Sequence, residues 1–187
     1  MRKPPHLPLR TALARRAGLR AAGALGIGAA LGTLWPAPRA ARAAAPPEGP
    51  VVLVIRGRVR RPNDGAVARF DMGALERLPQ LSFTTRTPWY SGPRQFTGPL
   101  MRDVLDSAGA EGSVLRVSAL NDYRVDVPFD DAQQHELILA RLLDGQPMPV
   151  RDKGPLFMVY PFDDHSELRS AVYYSRSVWQ VKSIEVV

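Results

Sequence analysis

Apolar and polar residues follow two patterns along the chain after residue 50. Val51–Val59 opens with an uninterrupted apolar run, which predicts a strand buried on both faces. Tyr123, Val125 and Val127 alternate with polar residues, which predicts a half-buried strand. Similar apolar runs between turn-forming residues predict further strands at Leu81–Thr87, Val114–Val117, Leu137–Leu143, Leu156–Tyr160 and Val178–Val187.

Helical signals are fewer and shorter than the strand signals. Pro99 suits the first turn of a helix, and Gly109 suits its end, with apolar residues on one face between them. Asp71 is placed to cap a short helix that continues through Leu78 and stops at Pro79. The pattern therefore predicts only short helices.

The remaining stretches complete a predicted α+β fold. Asp130 and Asp131 are placed to cap a helical turn over Ala132–His135, and Thr87–Thr97 is the least regular part of the sequence. Many short strands and a few short helices, in no regular alternation, favour an α+β domain with a mixed β-sheet.

The first 45 residues have the composition of an export signal. They contain eight Lys or Arg residues and no acidic residue, and an apolar run extends over Ala21–Trp35. Ala41 and Ala43 flank Arg42 in a pattern typical of signal-peptide cleavage. We therefore expect a cleaved signal peptide over residues 1–43 and a periplasmic mature protein.

The length of this apolar run separates a cleaved signal from a membrane anchor. The run has 15 residues, whereas about 20 are needed to span a bilayer. An uncleaved anchor is the alternative, and we expect no stable membrane insertion after cleavage. Arg15 and Arg16 suit a twin-arginine signal, with the general secretory route left open. The Ala- and Pro-rich residues 44–50 predict a short linker before a domain at residues 51–187.

The charge of the domain differs from that of the N-terminus. The whole sequence has a formal charge of +7, but residues 46–187 contain 17 basic and 18 acidic side chains. A nearly neutral domain argues against a nucleic-acid partner, which would need a basic face. The sequence also contains no cysteine, which excludes a disulfide framework.

A series of short motifs runs from residue 96 to residue 161. They are, in chain order, Phe96-Thr97-Gly98-Pro99-Leu100, Asp103-Val104-Leu105, Ala119-Leu120-Asn121-Asp122-Tyr123, Leu137-Ile138-Leu139-Ala140, Asp144-Gly145 and Gly154-Pro155-Leu156 through Tyr160-Pro161. Their order and spacing resemble the molybdopterin-binding domain of the sulfite oxidase family. The resemblance covers nearly all of residues 51–187. It implies a mixed-sheet α+β domain of that type, an oxidoreductase activity and molybdopterin as the cofactor.

The resemblance also implies a cysteine ligand to molybdenum, which this sequence lacks. The residues nearest the expected position are Thr85 and Thr87, and they offer alcohol oxygens in place of the soft thiolate. We therefore expect no coordination of a metal by the protein. The missing thiolate argues against redox catalysis, and we assign no catalytic residue.

The irregular loop after the predicted strand at Leu81–Thr87 is the first candidate binding segment. It contains Arg86, Trp89, Tyr90 and Arg94. Guanidinium groups match phosphate or carboxylate oxygens, and aromatic rings stack on planar ligands such as a pterin. The alternative is that the aromatic side chains fill a small core while the arginines are solvated.

Asn121, Asp122 and Tyr123 form the second candidate segment. Short polar side chains at a strand end can face a ligand, and they can equally close a turn by hydrogen bonds to their own backbone. The residues alone favour the turn. The resemblance implies that this loop lies near the cofactor, so both interpretations stay open.

Arg151, Lys153 and Gly154 form the third candidate segment. Backbone amides beside two cations can hold an anion, although a solvated charged turn is as common. The resemblance implies an arginine in the following strand, where this chain has Phe157. That difference weakens the prediction of a pocket for an oxyanion substrate.

Two classes of function remain open from the sequence. The first is a periplasmic oxidoreductase that holds molybdenum cofactor near Trp89. The second is a non-catalytic binding or sensory protein that uses the same fold for a pterin, a small anion or a periplasmic protein partner. His165 with Asp163, Asp164 and Glu167 is too sparse a set to predict a metal site.

Overall fold

A computed structural model describes residues 45–187, which contain twelve β-strands and four short α-helices. The strands are β1 (Val51–Gly57), β2 (Ala68–Asp71), β3 (Gln80–Arg86), β4 (Pro93–Pro99), β5 (Val114–Ala119), β6 (Arg124–Pro128), β7 (Ile138–Ala140), β8 (Leu142–Leu143), β9 (Gln146–Pro147), β10 (Phe157–Val159), β11 (Val178–Trp179) and β12 (Val181–Val186). The helices are α1 (Met72–Glu76), α2 (Met101–Ala108), α3 (Asp131–Gln134) and α4 (Ala171–Arg176). None of these helices is long and apolar enough to cross a membrane.

The described strands form three sheets. The largest has the order β2-β1-β12-β5-β6 and is mixed, because β1 and β12 run parallel while the other neighbours run antiparallel. The other two sheets are antiparallel, with the orders β3-β4-β8-β9 and β11-β10-β7. Mixed sheets with a few short helices confirm the expected α+β class.

One hydrophobic cluster joins the three sheets. Ile55 of β1, Phe96 of β4 and Phe157 of β10 are fully buried in it, together with Val104 and Leu105 of α2. Burial of each such side chain contributes roughly 1.5–3 kcal/mol relative to exposure. The core therefore ties the small sheets, which carry the candidate loops, to the five-stranded sheet.

The start of α1 and the end of α2 confirm two helix boundaries that were predicted from the sequence. The Asp71 carboxylate accepts a hydrogen bond from the backbone N–H of Ala74 at 2.7 Å and caps α1. Gly109 ends α2 with a φ of 61°, the left-handed conformation that glycine adopts without a steric penalty. Strands β3, β5, β6 and β10 also lie where the pattern predicts them.

The prediction that β1 is buried on both faces is wrong. Leu53 and Ile55 are fully buried, whereas Val52 and Val54 are half-buried and Val51 is exposed. Only one face of β1 packs against the core, so an apolar run did not require burial on both sides.

The predicted strand over Leu137–Leu143 is two strands in different sheets. β7 pairs with β10, and β8 pairs with β4. The chain changes sheets at Arg141, whose backbone N–H donates to the carbonyl of Thr97 at 2.9 Å. The predicted turn at Asp144-Gly145 is present, and it connects β8 to β9.

The predicted strand over Val178–Val187 is also divided. Gln180 has a φ of 56°, and its backbone N–H donates to the carbonyl of Lys153 at 3.0 Å. Because of this kink, β11 pairs with β10, whereas β12 belongs to the five-stranded sheet. Nothing in the local sequence pattern indicates that Gln180 adopts a left-handed backbone conformation.

Three further local predictions need correction. Neither Asp130 nor Asp131 caps α3 with its side chain, because the Asp131 carboxylate is buried and bonded elsewhere. Residues 93–97 belong to β4 rather than to an irregular stretch. Pro99 is the last residue of that strand, and the helix begins two residues later. β2 and α4 were not predicted.

The end of the predicted linker is attached to the domain. The backbone N–H groups of Glu48 and Gly49 donate to Asp71 Oδ2 at 2.6 and 2.8 Å. Asp71 therefore joins the linker to the start of α1. The signal peptide predicted over residues 1–43, with its arginine pair, lies outside the described residues.

These contacts predict a pH-dependent contribution from Asp71. The hydrogen bond from Ala74, followed by those from Gly49 and Glu48, lowers the pKa of Asp71 below its ordinary value. The contribution is therefore present above the ordinary pKa and is lost as the pH falls through the lowered value. Asp71→Asn should lower the urea midpoint at pH 7, and the difference from wild type should vanish in acid.

Asp164→Asn is the matched control, because that carboxylate is exposed and accepts no hydrogen bond within residues 45–187. It should leave the midpoint unchanged at both pH values. If Asp71→Asn lowers the urea midpoint equally at pH 7 and in acid, the account is contradicted. That result would show that the charge of the Asp71 carboxylate contributes nothing to stability.

Candidate functional site

Aromatic side chains surround a cavity of about 300 Å³, here called the aromatic cavity. The residues that line it come from the loop before β4, the turn after β5, α4 and β11. They are Trp89, Asn121, Tyr123, Tyr174, Ser175, Ser177, Val178 and Trp179. None of these residues is acidic or basic, and four of them carry large aromatic rings.

Trp89 fixes the position of its loop at this cavity. Its ring lies 5.5 Å from the ring of Phe157 and 5.6 Å from that of Trp179, in edge-to-face geometry. The ring of Tyr174 lies 6.1 Å away, also edge to face, and that of Phe162 lies 6.4 Å away. Such aromatic pairs add about 0.5–1.5 kcal/mol beyond area burial. Trp89 is thus both a packing residue and a cavity wall.

The turn predicted at residues 121–123 is present, while the ligand contact of these residues stays a prediction. Asn121 Oδ1 accepts a hydrogen bond from the backbone N–H of Tyr123 at 3.2 Å, which is the local turn contact. Asn121 and Tyr123 also line the aromatic cavity, and the Tyr123 hydroxyl donates to the carbonyl of Ser175 at 2.8 Å. Asp122 has a φ of 64° and forms an ion pair with Lys182 at 3.0 Å.

A buried carboxylate holds the helix that forms one side of the cavity. Asp131 accepts hydrogen bonds from the Tyr160 hydroxyl at 2.7 Å and from Arg176 Nη1 at 3.0 Å. Burial, followed by the hydrogen bond with Asp131, raises the pKa of Tyr160. Arg176 is the last residue of α4, so this contact places Ser177 and β11 against the cavity.

The predicted anion-binding arginines do not line the aromatic cavity. Arg86 pairs with Asp163 at 3.3 Å, Arg94 pairs with Asp144, and the exposed Arg151 lies 3.5 Å from Asp152. Each guanidinium therefore has a carboxylate partner within its own neighbourhood. The positive charge that suggested an anion site in the sequence is neutralised locally.

Tyr90 and Lys153 bring two of the predicted segments together. Lys153 Nζ lies 4.6 Å from the centre of the Tyr90 ring, and the Arg94 guanidinium lies 5.5 Å from it. Burial raises the pKa of Tyr90. The hydroxyl of Tyr90 and Nε of Arg94 are buried without a hydrogen-bond partner. This group lies next to Phe96, and its members are not among the cavity-lining residues.

Thr85 and Thr87, nearest the position of the expected cysteine, differ in their contacts. Thr85 is buried, and its hydroxyl accepts the backbone N–H of Asp163 at 3.0 Å. Thr87 is also buried, but its hydroxyl has no hydrogen-bond partner. Neither threonine lines the aromatic cavity.

Gly154 allows two segments of backbone to approach closely. A Cβ atom at this position would collide with the carbonyl oxygen of Met148. The role of Gly154 is thus to close the loop that presents Lys153 to Tyr90. A larger residue would have to push this loop away from Met148.

The two histidines of the domain lie near each other, with ring centres 6.5 Å apart. His135 Nε2 is 3.4 Å from the Tyr173 hydroxyl, and His165 Nδ1 is 3.5 Å from Glu167. Within residues 45–187, no group of three or more His, Cys, Asp or Glu side chains is arranged to hold a metal ion. The expected lack of protein–metal coordination stays a prediction.

The α+β fold agrees with a family match. Residues 54–164 match the model of the family described as oxidoreductase molybdopterin binding domain. The match covers more than half of the 187-residue chain, so the chain belongs to this family. The resemblance inferred from the motifs is thereby confirmed. No curated protein matches the sequence.

The aromatic cavity suits the ring of the family's cofactor better than it suits the metal or the phosphate. Its rings can stack on a planar heterocycle. Its lining includes no sulfur, imidazole or carboxylate to ligate a metal, and no cation to neutralise a phosphate. The residues present at this cavity therefore do not fit a phosphate-bearing cofactor whose molybdenum is bound to the protein.

The structure brings together part of the predicted site and adds residues that the sequence did not reveal. Of the predicted residues, Trp89, Asn121 and Tyr123 line the cavity. The added residues lie in α4, in β11 and between these two elements: Tyr174, Ser175, Ser177, Val178 and Trp179. A signal was present, since two tyrosines and a tryptophan follow one another closely at residues 173–179.

The two buried threonines make a matched prediction about stability. Replacement by valine keeps the shape and removes the hydroxyl. Thr85→Val should cost about 1–3 kcal/mol, because the N–H of Asp163 loses its partner in a poorly hydrated place. Thr87→Val should be neutral or stabilising, because it removes a buried hydroxyl that has no partner.

Urea unfolding of the two variants measures this difference. Equal losses of unfolding free energy for Thr85→Val and Thr87→Val would contradict the assigned hydrogen bonds. A larger loss for Thr87→Val would show that its hydroxyl has a bound partner.

Proposed function

We propose that this chain is an exported, periplasmic member of the family that binds a small planar ligand in the aromatic cavity. The ligand is held by stacking and hydrogen bonds, without a bond from the protein to a metal. In this proposal the protein has no redox turnover of its own, and the fold serves as a binding domain.

The observation that carries the proposal is the composition of the cavity wall. Trp89, Tyr174 and Trp179 supply ring surfaces, and Asn121 supplies an amide at the end of β5. A concave, mostly apolar site with a few polar groups is the usual form of a small-molecule site. The wall contains no thiol, amine or imidazole, and the hydroxyl groups of Tyr123, Ser175 and Ser177 already donate to backbone carbonyls. No base among the lining residues would activate the remaining hydroxyl, that of Tyr174, for covalent catalysis.

The absence of cysteine from the whole sequence supports the non-redox part of the proposal. A protein thiolate is the soft ligand that the resemblance implies for molybdenum, and threonine does not replace it. Phe157 supports the same conclusion. It is fully buried against Trp89 and Trp179, where the resemblance implies an arginine that would attract an oxyanion.

The N-terminal sequence supports the export part of the proposal. A basic segment, a short apolar run and the small residues around Arg42 precede the domain. The nearly neutral domain that follows suits a freely diffusing periplasmic protein, which meets small ligands rather than nucleic acid.

Elemental analysis and turnover assays test the proposal together. Protein purified from the periplasm of its own host should contain far less than one molybdenum per chain. It should neither oxidise sulfite nor reduce sulfoxides with a reduced viologen above a heat-inactivated control. Stoichiometric molybdenum with turnover of either substrate would instead establish the oxidoreductase function.

A further inference from the structure

We infer that the ligand of the aromatic cavity is an uncharged planar ring that carries hydrogen-bond acceptors, such as the carbonyl groups of a quinone or an oxo-heterocycle. This inference rests on the proposed function, and it names the chemical class that the same cavity recognises. The charge of the cavity lining, its free hydrogen-bond donors and the arrangement of its rings each support this ligand class.

The uncharged lining of the cavity favours a neutral ligand over an anion. Arg176 and Lys182, which lie close along the chain to lining residues, are each paired with a carboxylate at 3.0 Å, Asp131 and Asp122 respectively. Arg124, next to Tyr123, is exposed and is not among the residues that line the cavity. An anion in the cavity would lose its hydration without gaining a free cation, which is costly. The lining also offers no carboxylate to compensate a cation. A neutral ligand avoids both costs.

The direction of the available hydrogen bonds indicates acceptors on the ligand. The hydroxyl groups of Tyr123, Ser175 and Ser177 already donate to the carbonyls of Ser175, Val172 and Tyr173. The Tyr174 hydroxyl makes no hydrogen bond within residues 45–187 and is free to donate to a ligand or to accept from it. The indole N–H groups of the two cavity tryptophans, which only donate, make no hydrogen bond within residues 45–187. The Asn121 amide nitrogen is also unpaired there, while its oxygen is engaged in the turn.

The arrangement of the rings indicates a flat ligand. The rings of Trp89 and Trp179 meet at 72°, and those of Trp89 and Tyr174 meet at 85°. A planar ring stacked on one of these surfaces therefore presents its edge to the next. The volume of about 300 Å³ is at the lower end for small-molecule sites, which favours a compact ring system.

Four related probes separate the steps of this argument. They are 1,4-naphthoquinone, naphthalene, 1,4-naphthoquinone-2-sulfonate and naphthalene-2-sulfonate, which vary the carbonyls and the charge on one ring system. Tryptophan fluorescence reports the binding, because the sequence has three tryptophans and two of them line the cavity. The full chain with Trp35→Phe therefore gives a signal from the cavity alone.

The naphthoquinone should quench this fluorescence with the tightest Kd. Removal of the carbonyls should weaken binding at least about tenfold, since two or three net hydrogen bonds are lost. Addition of the sulfonate should weaken it by a similar factor, since an anion is desolvated without a partner. Equal or tighter binding of either sulfonate, or equal binding of naphthalene, overturns the inferred ligand class and leaves the binding function standing.

Asn121→Asp tests the amide donor directly. An aspartate keeps the oxygen that closes the turn, but it removes the N–H groups and adds a negative charge. Affinity for the naphthoquinone should fall at least about tenfold, and affinity for naphthalene should change little. Gln133→Glu, which makes the same chemical change on the exposed face of α3, should alter neither.

Failure of this inference is distinguishable from failure of the proposed function. If none of the four probes binds while the purified protein lacks molybdenum and turnover, the ligand class is wrong and the non-redox proposal stands. If none binds and the protein carries stoichiometric molybdenum with activity, both are wrong. If Asn121→Asp binds the naphthoquinone as wild type does, the hydrogen-bond step is overturned.

Discussion

The packing of Trp89 is the contact on which the rest of the site depends. Its ring joins the loop before β4 to Phe157 of β10, to Tyr174 of α4 and to Trp179 of β11. Because large aromatic side chains bury much apolar area and prefer defined edge-to-face angles, one ring can fix the relative positions of three elements. The aromatic cavity exists because these elements meet at Trp89 without filling the space between them.

Local signals in the sequence predicted most of the elements, because caps, turns and alternation depend on neighbouring residues. Asp71 and Gly109 bound helices as expected, and the α+β class followed from the number of short strands. The errors came from long-range choices. The kink at Gln180 and the change of sheet at Arg141 depend on hydrogen bonds to Lys153 and Thr97, which no local pattern encodes.

The candidate site was predicted in part for the same reason. The sequence pointed to Trp89, Asn121 and Tyr123, which line the cavity, because aromatic and short polar residues in irregular segments are visible locally. It also pointed to arginines as anion ligands. Their carboxylate partners, such as Asp144 for Arg94 and Asp163 for Arg86, are distant in sequence, so their neutralisation became visible only in the fold. Anion binding by these arginines therefore stays a prediction.

Membership of the family gives the fold, while the residues at the cavity determine its chemistry. The central claim is that this cavity holds an uncharged ring rather than a phosphate-bearing, metal-bound cofactor. The most direct measurement is mass spectrometry of the small molecules released on denaturing the protein purified from its own host. The account predicts a neutral planar compound at up to one per chain, without phosphate or molybdenum. Release of stoichiometric molybdopterin would contradict it.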